Sequence, residues 1–326
     1  MVISTDITHA SVDICTKCQL RCKSCSTSAG LIRNGFVGEG LMSFENFKRI
    51  IDMNPQISHI ELSNWGEIFL NPDIEAILRY AFNKGVSLYC ANGSNFNYVP
   101  DNVLEALVKY QMKCLNLSID GATQETYEQY RVNGHLDKVL DNIRKLNHYK
   151  ELYGSKYPKL SWQFILFGHN EHEIESVKSL CKELGMVFNP KMNHSFFSPI
   201  KDEEYVKEHT GLDYASRKEY AKKYGTDYKH PCYQCIFSPQ INWNGDVLGC
   251  CVNKWKGLGN VFSKPLADVL NSELYRFMIE VLYGRAKAND SIPCFFCPNL
   301  HKVELQPLTD EGLIKYGSYV PVALRK

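Results

Sequence analysis

Short apolar segments alternate with amphipathic segments along roughly the first 190 residues of the chain. Each apolar segment is short and contains at least one β-branched residue, which predicts β-strands at residues 11–14, 57–62, 86–91, 114–119, 159–167 and 186–189. Apolar residues at helical spacing predict helices between them, at residues 44–53, 72–84, 101–111, 136–152 and 171–184. Because strand–helix alternation favours a parallel sheet, these six units predict an α/β fold with a partial (β/α)6 barrel.

The pattern changes near residue 190. Residues 201–224 are rich in Lys, Glu and Tyr, which predicts a polar helical connector. A hairpin follows at residues 240–251, turning at Asn244–Gly245, and then a helix at residues 265–283. We therefore expect a barrel domain at residues 1–195, a connector at 196–230 and a small metal-stabilised domain at 231–326.

Composition excludes several classes of partner. Lys and Arg number 37 and Asp and Glu 36, so the formal net charge is 37 − 36 = +1. This balance argues against nucleic acid as a partner and against a polybasic membrane anchor. The apolar runs are too short to span a bilayer, and the N-terminus lacks the pattern of a signal peptide. We expect a cytoplasmic protein with no membrane and no nucleic-acid partner.

The chain has 13 cysteines, and most of them fall into two groups, one at each end. Because the cytosol keeps thiols reduced, grouped cysteines indicate metal binding or catalysis rather than disulfides. Cys90, Cys114 and Cys181 lie between the groups in apolar segments, where small buried core residues are expected.

The first group contains Cys18, Cys22 and Cys25 in a CxxxCxxC motif directly after the first predicted strand. Three thiolates at this spacing can bind three corners of an iron–sulfur cube, and the fourth iron stays open to activate a small molecule. The alternative is a structural zinc site that also uses Cys15. Zinc sites favour a longer loop between the two cysteine pairs, so this alternative ranks second.

This motif and its setting resemble the radical S-adenosylmethionine (SAM) superfamily, whose signature is the same cysteine triad after strand one. Similar segments follow in the family's order at the predicted strand ends, at residues 64–67, 91–93, 117–121, 130–143 and 167–171. The resemblance covers roughly residues 10–190 and implies binding of SAM and a [4Fe–4S] cluster. It also implies an electron donor such as flavodoxin or ferredoxin.

The resemblance assigns SAM-binding roles to particular residues. The residues concerned are Gly66 and Glu67 at the amino group, Ser118 and Asp120 at the ribose, Arg131 at the carboxylate, and Asn92 in a Thr-Asn-Gly-like segment. Trp65 replaces a family glycine, and Ser24 stands where the family usually has an aromatic residue near the adenine. Phe36 is a candidate to supply that aromatic surface instead.

The second group resembles the auxiliary-cluster domains called SPASM and twitch, with Gly245 at the family's glycine position. No cysteine follows Cys297, so the resemblance implies the shorter, twitch-type domain with one auxiliary [4Fe–4S] cluster. The expected ligands are Cys232, Cys250, Cys294 and Cys297, with Cys235 or Cys251 as possible replacements. The alternative is a four-cysteine zinc site, because Cys232 and Cys235, like Cys294 and Cys297, have the spacing of a zinc knuckle.

Several functions fit this combination. The first is dehydrogenation of a sugar or cyclitol alcohol, as in twitch-type enzymes such as 2-deoxy-scyllo-inosamine dehydrogenase, with the auxiliary cluster taking an electron. Candidate bases for this reaction are Glu67, Asp120, His169, His172 and His194.

The second function is epimerisation of a sugar or peptide, with Cys235 or Cys251 returning a hydrogen atom. The third is maturation of a peptide; the barrel begins near residue 11, so we expect no leader-peptide domain before it. The non-enzyme alternative is a zinc-stabilised binding module, which predicts zinc binding without SAM binding.

Overall fold

The computed structural model describes residues 7–194, 197–228, 230–317 and 321–325. Each of the six strands predicted for the barrel is present, with bounds shifted by a few residues at most. The strands are β1 (His9–Val12), β2 (His59–Glu61), β3 (Ser87–Ser94), β4 (Cys114–Ser118), β5 (Lys159–Leu166), β6 (Met186–Met192), β7 (Gln240–Ile241) and β8 (Val247–Gly249).

The helices alternate with these strands as the apolar pattern predicts. α1 begins after Ser43, whose Oγ accepts the Asn46 N–H at 3.3 Å. None of the helices in the described part of the chain is long and apolar enough to cross a membrane. The helices are α1 (Phe44–Met53), α2 (Ile74–Asn83), α3 (Asp101–Lys109), α4 (Gln124–Tyr130), α5 (Leu136–Leu152), α6 (Ile174–Glu183), α7 (Glu203–Thr210), α8 (Arg217–Tyr224), α9 (Gln234–Phe237), α10 (Leu266–Leu270), α11 (Glu273–Leu282), α12 (Leu300–Leu305) and α13 (Asp310–Gly317).

Contacts between Cα atoms divide the chain into two compact units. The first unit comprises Met1–Lys17, Gly30–Tyr89 and Pro231–Val320, and the second comprises Cys18–Ala29, Cys90–His230 and Pro321–Lys326. Strand β3 begins in the first unit and ends in the second. The division of the sequence at residues 195 and 230 stays a prediction.

In the first unit the strand order is β3-β2-β1-β7-β8. Parallel pairing places Ala10 of β1 opposite Ile60 of β2, and Ile60 opposite Leu88 of β3. On its other side β1 pairs in parallel with β7, where Val12 lies opposite Ile241, and β7 forms the predicted hairpin with β8. The C-terminal hairpin therefore extends the barrel sheet, which the sequence alone did not indicate.

In the second unit the strand order is β6-β5-β4-β3. β5 pairs in parallel with β4 and β6, and its Trp162 and Phe164 are fully buried. The Trp162 Nε1–H donates to the Ile119 carbonyl oxygen at 2.7 Å, which satisfies the one polar atom of that ring. This arrangement confirms the predicted α/β class with a parallel sheet of the partial-barrel type.

Several helical segments differ from the prediction, and α9, α12 and α13 were not predicted. The predicted helix at residues 265–283 is interrupted after α10, because the Ser272 Oγ accepts the Tyr275 N–H and caps a new helix, α11. The connector contains two helices, α7 and α8, which end at Gly211 and Gly225 in left-handed conformation. The sequence analysis missed α4, which Thr123 caps.

Candidate functional site

Cys18, Cys22 and Cys25 lie together on the loop that opens the second unit. The Cys25 N–H donates to the Cys22 carbonyl oxygen at 3.3 Å, which closes a tight turn between the two thiols. Cys22 is buried against Tyr130 and Phe167, and Cys18 packs half-buried on the same cluster. The loop thus holds three thiols on an apolar and aromatic base.

Polar donors face two of these thiols. The Asn95 Nδ2–H donates to the Cys18 Sγ at 3.7 Å, and the Arg131 Nη1–H donates to the Cys22 Sγ at 3.6 Å. Burial raises the pKa of the Cys22 thiol, and the nearby guanidinium of Arg131 offsets part of that rise. Since iron binds thiolates, donors of this kind fit sulfurs that serve as ligands.

A buried ion pair lies next to the cysteine loop. Arg131, which follows α4, donates its Nε–H to the Asp120 Oδ2 at 2.6 Å, and Asp120 is fully buried after β4. The Ile165 N–H donates to the other carboxylate oxygen at 2.7 Å. Burial alone lowers the pKa of Arg131, but Asp120 and Cys22 raise it well above its usual value. The two residues assigned to SAM by resemblance therefore bind each other directly; their contact with SAM stays a prediction.

The ends of β3 and β4 carry the other two predicted SAM residues of this unit. Asn92 is exposed, and Ser118 is buried with its Oγ accepting the Gln163 Nε2–H at 3.0 Å. Gly93 has a φ of +130°, and a Cβ there would lie 2.5 Å from the Ser118 Oγ. Only glycine fits this position, which lets the two strand ends approach closely.

An aromatic group also adjoins this loop. The His169 ring stacks on Phe167 with centroids 5.1 Å apart and meets Phe197 edge-on at 5.5 Å. The Lys23 Nζ lies 4.6 Å from the centroid of the Phe197 ring. Sequence reasoning treated His169 only as a candidate base and missed Phe197, because residues so far apart in the chain give no local signal of their contact.

The His169 imidazole is held in its neutral form. Both ring nitrogens are buried without a hydrogen-bond partner among the described residues. Burial, with Lys23 second, lowers the pKa of His169 to about 4. The imidazole is therefore unprotonated at neutral pH.

This shift predicts an acid-sensitive contribution to stability. Between pH 6.5 and 4 the unfolded chain protonates His169 and the folded chain does not, so the folded state loses stability as pH falls. We expect His169→Phe, which keeps the ring stack, to lower this pH dependence. The measurement is the thermal unfolding midpoint at pH 7.5 and pH 5, with exposed His148→Phe as control. Equal pH dependence in all three proteins would contradict the assignment.

In the first unit, the segment at residues 64–67 lies against the backbone of residues 15–17. Gly66 has a φ of +86°, and a Cβ there would lie 2.6 Å from the Thr16 carbonyl carbon. The Glu67 N–H donates to the Lys17 carbonyl oxygen at 2.8 Å, and its buried carboxylate accepts the Phe69 N–H at 3.4 Å. Glu67 thus caps a short 3-10 helix; its roles in SAM binding and catalysis stay predictions.

Trp65, which replaces a family glycine, has a structural role. Its N–H donates to the Asp13 Oδ1 at 3.1 Å, and its side chain packs on Ile32, Val37 and Leu248. Phe36 is partly exposed, and its ring lies against Gly257. Its proposed contact with adenine stays a prediction.

The second group of cysteines surrounds one pocket in the first unit. Five of the six cysteines between residues 232 and 297 line it, whereas Cys251 does not. Its other walls include apolar side chains from β8, α11 and α12, among them Leu248, Met278 and Leu282, together with Asn253 and Asn299. The lining cysteines are Cys232, Cys235, Cys250, Cys294 and Cys297.

The protonation of these thiols is uneven. The Cys235 thiol and the N–H groups of Val252 and Asn253 donate to Cys250 and lower the pKa of Cys250 to about 7, although burial opposes this. Burial raises the pKa of Cys294 to about 12. Cys235 is itself buried, and its carbonyl oxygen accepts the Tyr275 O–H at 2.6 Å. Hydrogen bonding thus favours the thiolate of Cys250, whereas burial favours the protonated form of Cys294.

The pocket and the first loop fit iron–sulfur clusters. Four cysteines close a [4Fe–4S] cube, and the pocket provides five sulfurs within apolar walls. In the described part of the chain, no three Cys, His, Asp or Glu side chains converge closely enough to hold a single metal ion. A cube is larger and holds its ligand sulfurs farther apart than one zinc ion does.

Four of the five remaining cysteines are structural. Cys90, Cys114 and Cys181 are buried in the core, as predicted. Cys15 is also buried, and its thiol donates to the Lys17 carbonyl oxygen at 3.4 Å. Burial raises the pKa of Cys15 to about 11, so this thiol stays protonated at neutral pH.

Comparison with known protein families identifies the chain. The family model described as the radical SAM superfamily matches residues 12–181, which is more than half of the chain. The chain belongs to the radical SAM superfamily. A second model, described as the SPASM iron–sulfur cluster-binding domain, matches residues 232–298. This radical SAM chain is therefore an enzyme whose cofactors are SAM and [4Fe–4S] clusters, one of them auxiliary.

Individual relatives are distant. The AdoMet-dependent heme synthase of Methanosarcina barkeri is 28% identical over 175 residues, covering 52% of this chain and 46% of that protein. The GTP 3',8-cyclase of Clostridium botulinum is 22% identical over 178 residues, covering 54% of this chain and 53% of that protein. The chain thus spans about half the length of these curated relatives.

A solved structure resembles nearly the whole radical SAM chain. The crystal structure of Streptococcus suis SuiB bound to S-adenosylmethionine has a TM-score of 0.63 and 15% identity, covering 90% of this chain and 71% of that chain. Likeness at this identity shows a shared fold.

Proposed function

We propose that this radical SAM enzyme dehydrogenates an alcohol carbon of a sugar or cyclitol. When bound, the first cluster and SAM supply a 5'-deoxyadenosyl radical that takes a hydrogen atom from the substrate. Oxidation of the alcohol to a carbonyl then releases one further electron and one proton. The proposal assigns that electron to the auxiliary cluster and the proton to a side chain.

The observation that carries this proposal is the auxiliary pocket. It offers five cysteines, one more than the four that close a cluster. A cluster closed by four cysteines has no open iron for substrate, so its role is electron transfer. Dehydrogenation requires such an electron acceptor, whereas epimerisation does not.

Residues of the second unit would position the reaction. Cys18, Cys22 and Cys25 would hold the first cluster, and Arg131 would favour the thiolate of Cys22 by hydrogen bonding. The proposal keeps the SAM roles suggested by resemblance for Asn92 and Ser118. Among the candidate bases, Asp120 is the least available to accept a proton from the substrate, because it already accepts hydrogen bonds from Arg131 and Ile165.

Epimerisation is the alternative function for which a specific residue, Cys251, is a candidate hydrogen donor. Cys251 is half-exposed and lies outside the cluster pocket, so it could return a hydrogen atom, whereas Cys235 is enclosed. Peptide maturation is a further alternative, because one SuiB structure is described as bound to its precursor peptide SuiA.

The experiment is a product analysis in D2O. The reconstituted enzyme is reduced with flavodoxin or ferredoxin and given SAM with a panel of aminocyclitols, sugars and short peptides. We expect a ketone product with one 5'-deoxyadenosine per turnover and no deuterium at carbon. Deuterium at an inverted carbon centre, lost in Cys251→Ala, would overturn dehydrogenation in favour of epimerisation. Turnover of peptides alone would overturn the substrate class.

A further inference from the structure

A closed ring of hydrogen bonds joins three segments of the first unit. Gln240 donates to the Asp13 Oδ2 at 2.9 Å, Gln234 donates to the Gln240 Oε1 at 3.1 Å, and the Cys251 N–H donates to the Gln234 Oε1 at 2.9 Å. Asn64 donates to the Cys251 carbonyl oxygen at 3.2 Å, and the next residue, Trp65, donates its backbone N–H to the Asp13 Oδ1 at 3.1 Å, which closes the ring through the backbone. The mechanism proposed above uses none of these contacts.

The members of this ring, which we call the Asp13 ring, come from distant parts of the sequence. Asp13 follows β1, and Asn64 belongs to the segment that resembles the SAM amino-group site. Gln234, Gln240 and Cys251 belong to the auxiliary segment, where Cys251 follows the pocket cysteine Cys250 directly. The ring therefore links the barrel strand and the 64–67 segment to one corner of the auxiliary pocket.

The donors and acceptors of the Asp13 ring follow one order, which the acceptor oxygens of Asp13 set. Both Asp13 oxygens accept N–H groups, Oδ2 from Gln240 and Oδ1 from the Trp65 backbone, so Gln240 must turn its amide N–H toward Asp13 and its oxygen toward Gln234. Gln234 must in turn point its oxygen at the Cys251 N–H. Asparagine at position 13 would present an N–H to Gln240, and reversing both glutamines would set two donors against each other at Cys251.

Burial makes that conflict costly. Asp13 has no exposed surface and Gln240 is 1% exposed, so water cannot replace a lost partner there. A buried polar group left without its partner bears the full desolvation cost. The Trp65 N–H at 3.1 Å is a further donor that depends on the same carboxylate.

We propose that Asp13 is a positioning residue that fixes the Cys250–Cys251 corner of the auxiliary cluster site through Gln240 and Gln234. The carboxylate orients both glutamine amides, and the second amide holds the Cys251 N–H. The ring thereby sets the backbone that carries the Cys250 thiolate. This inference concerns how firmly the auxiliary cluster is held and is independent of which substrate the enzyme oxidises.

The test measures iron retention without substrate. The full chain carries Cys18→Ala, Cys22→Ala and Cys25→Ala, so that only the auxiliary cluster is reconstituted. We expect Asp13→Asn to speed the loss of this iron to a chelator by about tenfold, the size of one buried hydrogen bond left unsatisfied. The electron paramagnetic resonance spectrum and reduction potential of the auxiliary cluster should shift as well.

Two further variants distinguish a positioning role of Asp13 from a general loss of stability of the chain. Asp13→Asn/Gln240→Glu moves the carboxylate one step along the ring and restores an acceptor for Gln234, so iron retention should recover. Asp73→Asn removes a different carboxylate acceptor of the same unit, which binds the Phe44 N–H at 2.8 Å, and should leave iron retention unchanged. Equal effects of Asp13→Asn and Asp73→Asn, or no recovery in the double variant, would overturn the proposal.

Gln234→Leu covers the case in which Asp13→Asn does not fold. It cuts the ring at the half-buried Gln234, away from Asp13, and leaves the Cys251 N–H without its partner. We expect the same faster iron loss as in Asp13→Asn. Iron retention equal to that of the parent chain would overturn the role of the ring.

Discussion

Replacing any one of Cys18, Cys22 and Cys25 with alanine lowers reductive cleavage of SAM by about 1,000-fold or more, since changing a residue that only hydrogen-bonds to a metal ligand already costs about 10–100-fold. The three thiols lie on one loop with no fourth cysteine of that loop free to substitute, because the Cys15 thiol is buried and donates to Lys17. The measurement is 5'-deoxyadenosine formed from SAM after reduction with dithionite.

The iron content of the same variants separates the two clusters. Loss of the first cluster should leave roughly four iron atoms per chain of the roughly eight that two [4Fe–4S] clusters contain. Cys90→Ala is the matched control, because this thiol is a buried core residue and should leave both SAM cleavage and iron unchanged apart from a small loss of stability. A triad variant that retains no cluster would refute the two-cluster description.

The second large expected effect is on the stability of the folded chain. Asp120→Ala leaves the Arg131 guanidinium buried without its carboxylate, and breaking a buried ion pair in this way costs about 3–5 kcal/mol. It also removes the acceptor of the Ile165 N–H. We expect a fall of this size in the free energy of unfolding, measured by anaerobic chemical denaturation of the cluster-free wild-type and variant chains.

A double variant distinguishes the pair from ordinary loss of packing. Asp120→Asn/Arg131→Gln replaces both charges by neutral groups of similar shape, so it should cost less than Asp120→Ala alone. The exposed pair of Lys178 and Glu175 is the control, and Glu175→Gln should change stability by less than about 1 kcal/mol. A double variant less stable than Asp120→Ala would contradict the assignment of the cost to an unpaired charge.

Local features of the site were predictable from the sequence. The spacing of Cys18, Cys22 and Cys25 and the helix cap at Ser43 act over a few residues, and their pattern is visible without the fold. The strand ends that carry Asn92 and Ser118 were placed to within three residues for the same reason. Parallel order then brings such strand ends to one edge of a sheet.

Features that depend on contacts between distant residues were not predictable. The pairing of β7 with β1 joins residues 11–12 to 240–241, and no local pattern specifies that register. The Asp13 ring spans residues 13 to 251, and its members look like ordinary polar residues one at a time. Because Cys232 and Cys235 both line the auxiliary pocket, the structure places five cysteine sulfurs there, one more than the four that bind a cluster.

The most direct test of the central claim is reductive cleavage of SAM by the reconstituted wild-type chain. Purified protein carrying both clusters is reduced anaerobically with dithionite, and 5'-deoxyadenosine is quantified over time. A radical SAM enzyme forms 5'-deoxyadenosine and methionine in equal amounts, and the Cys18→Ala variant forms neither. A fully reconstituted wild-type chain that binds SAM but yields no 5'-deoxyadenosine above the Cys18→Ala background would contradict the account.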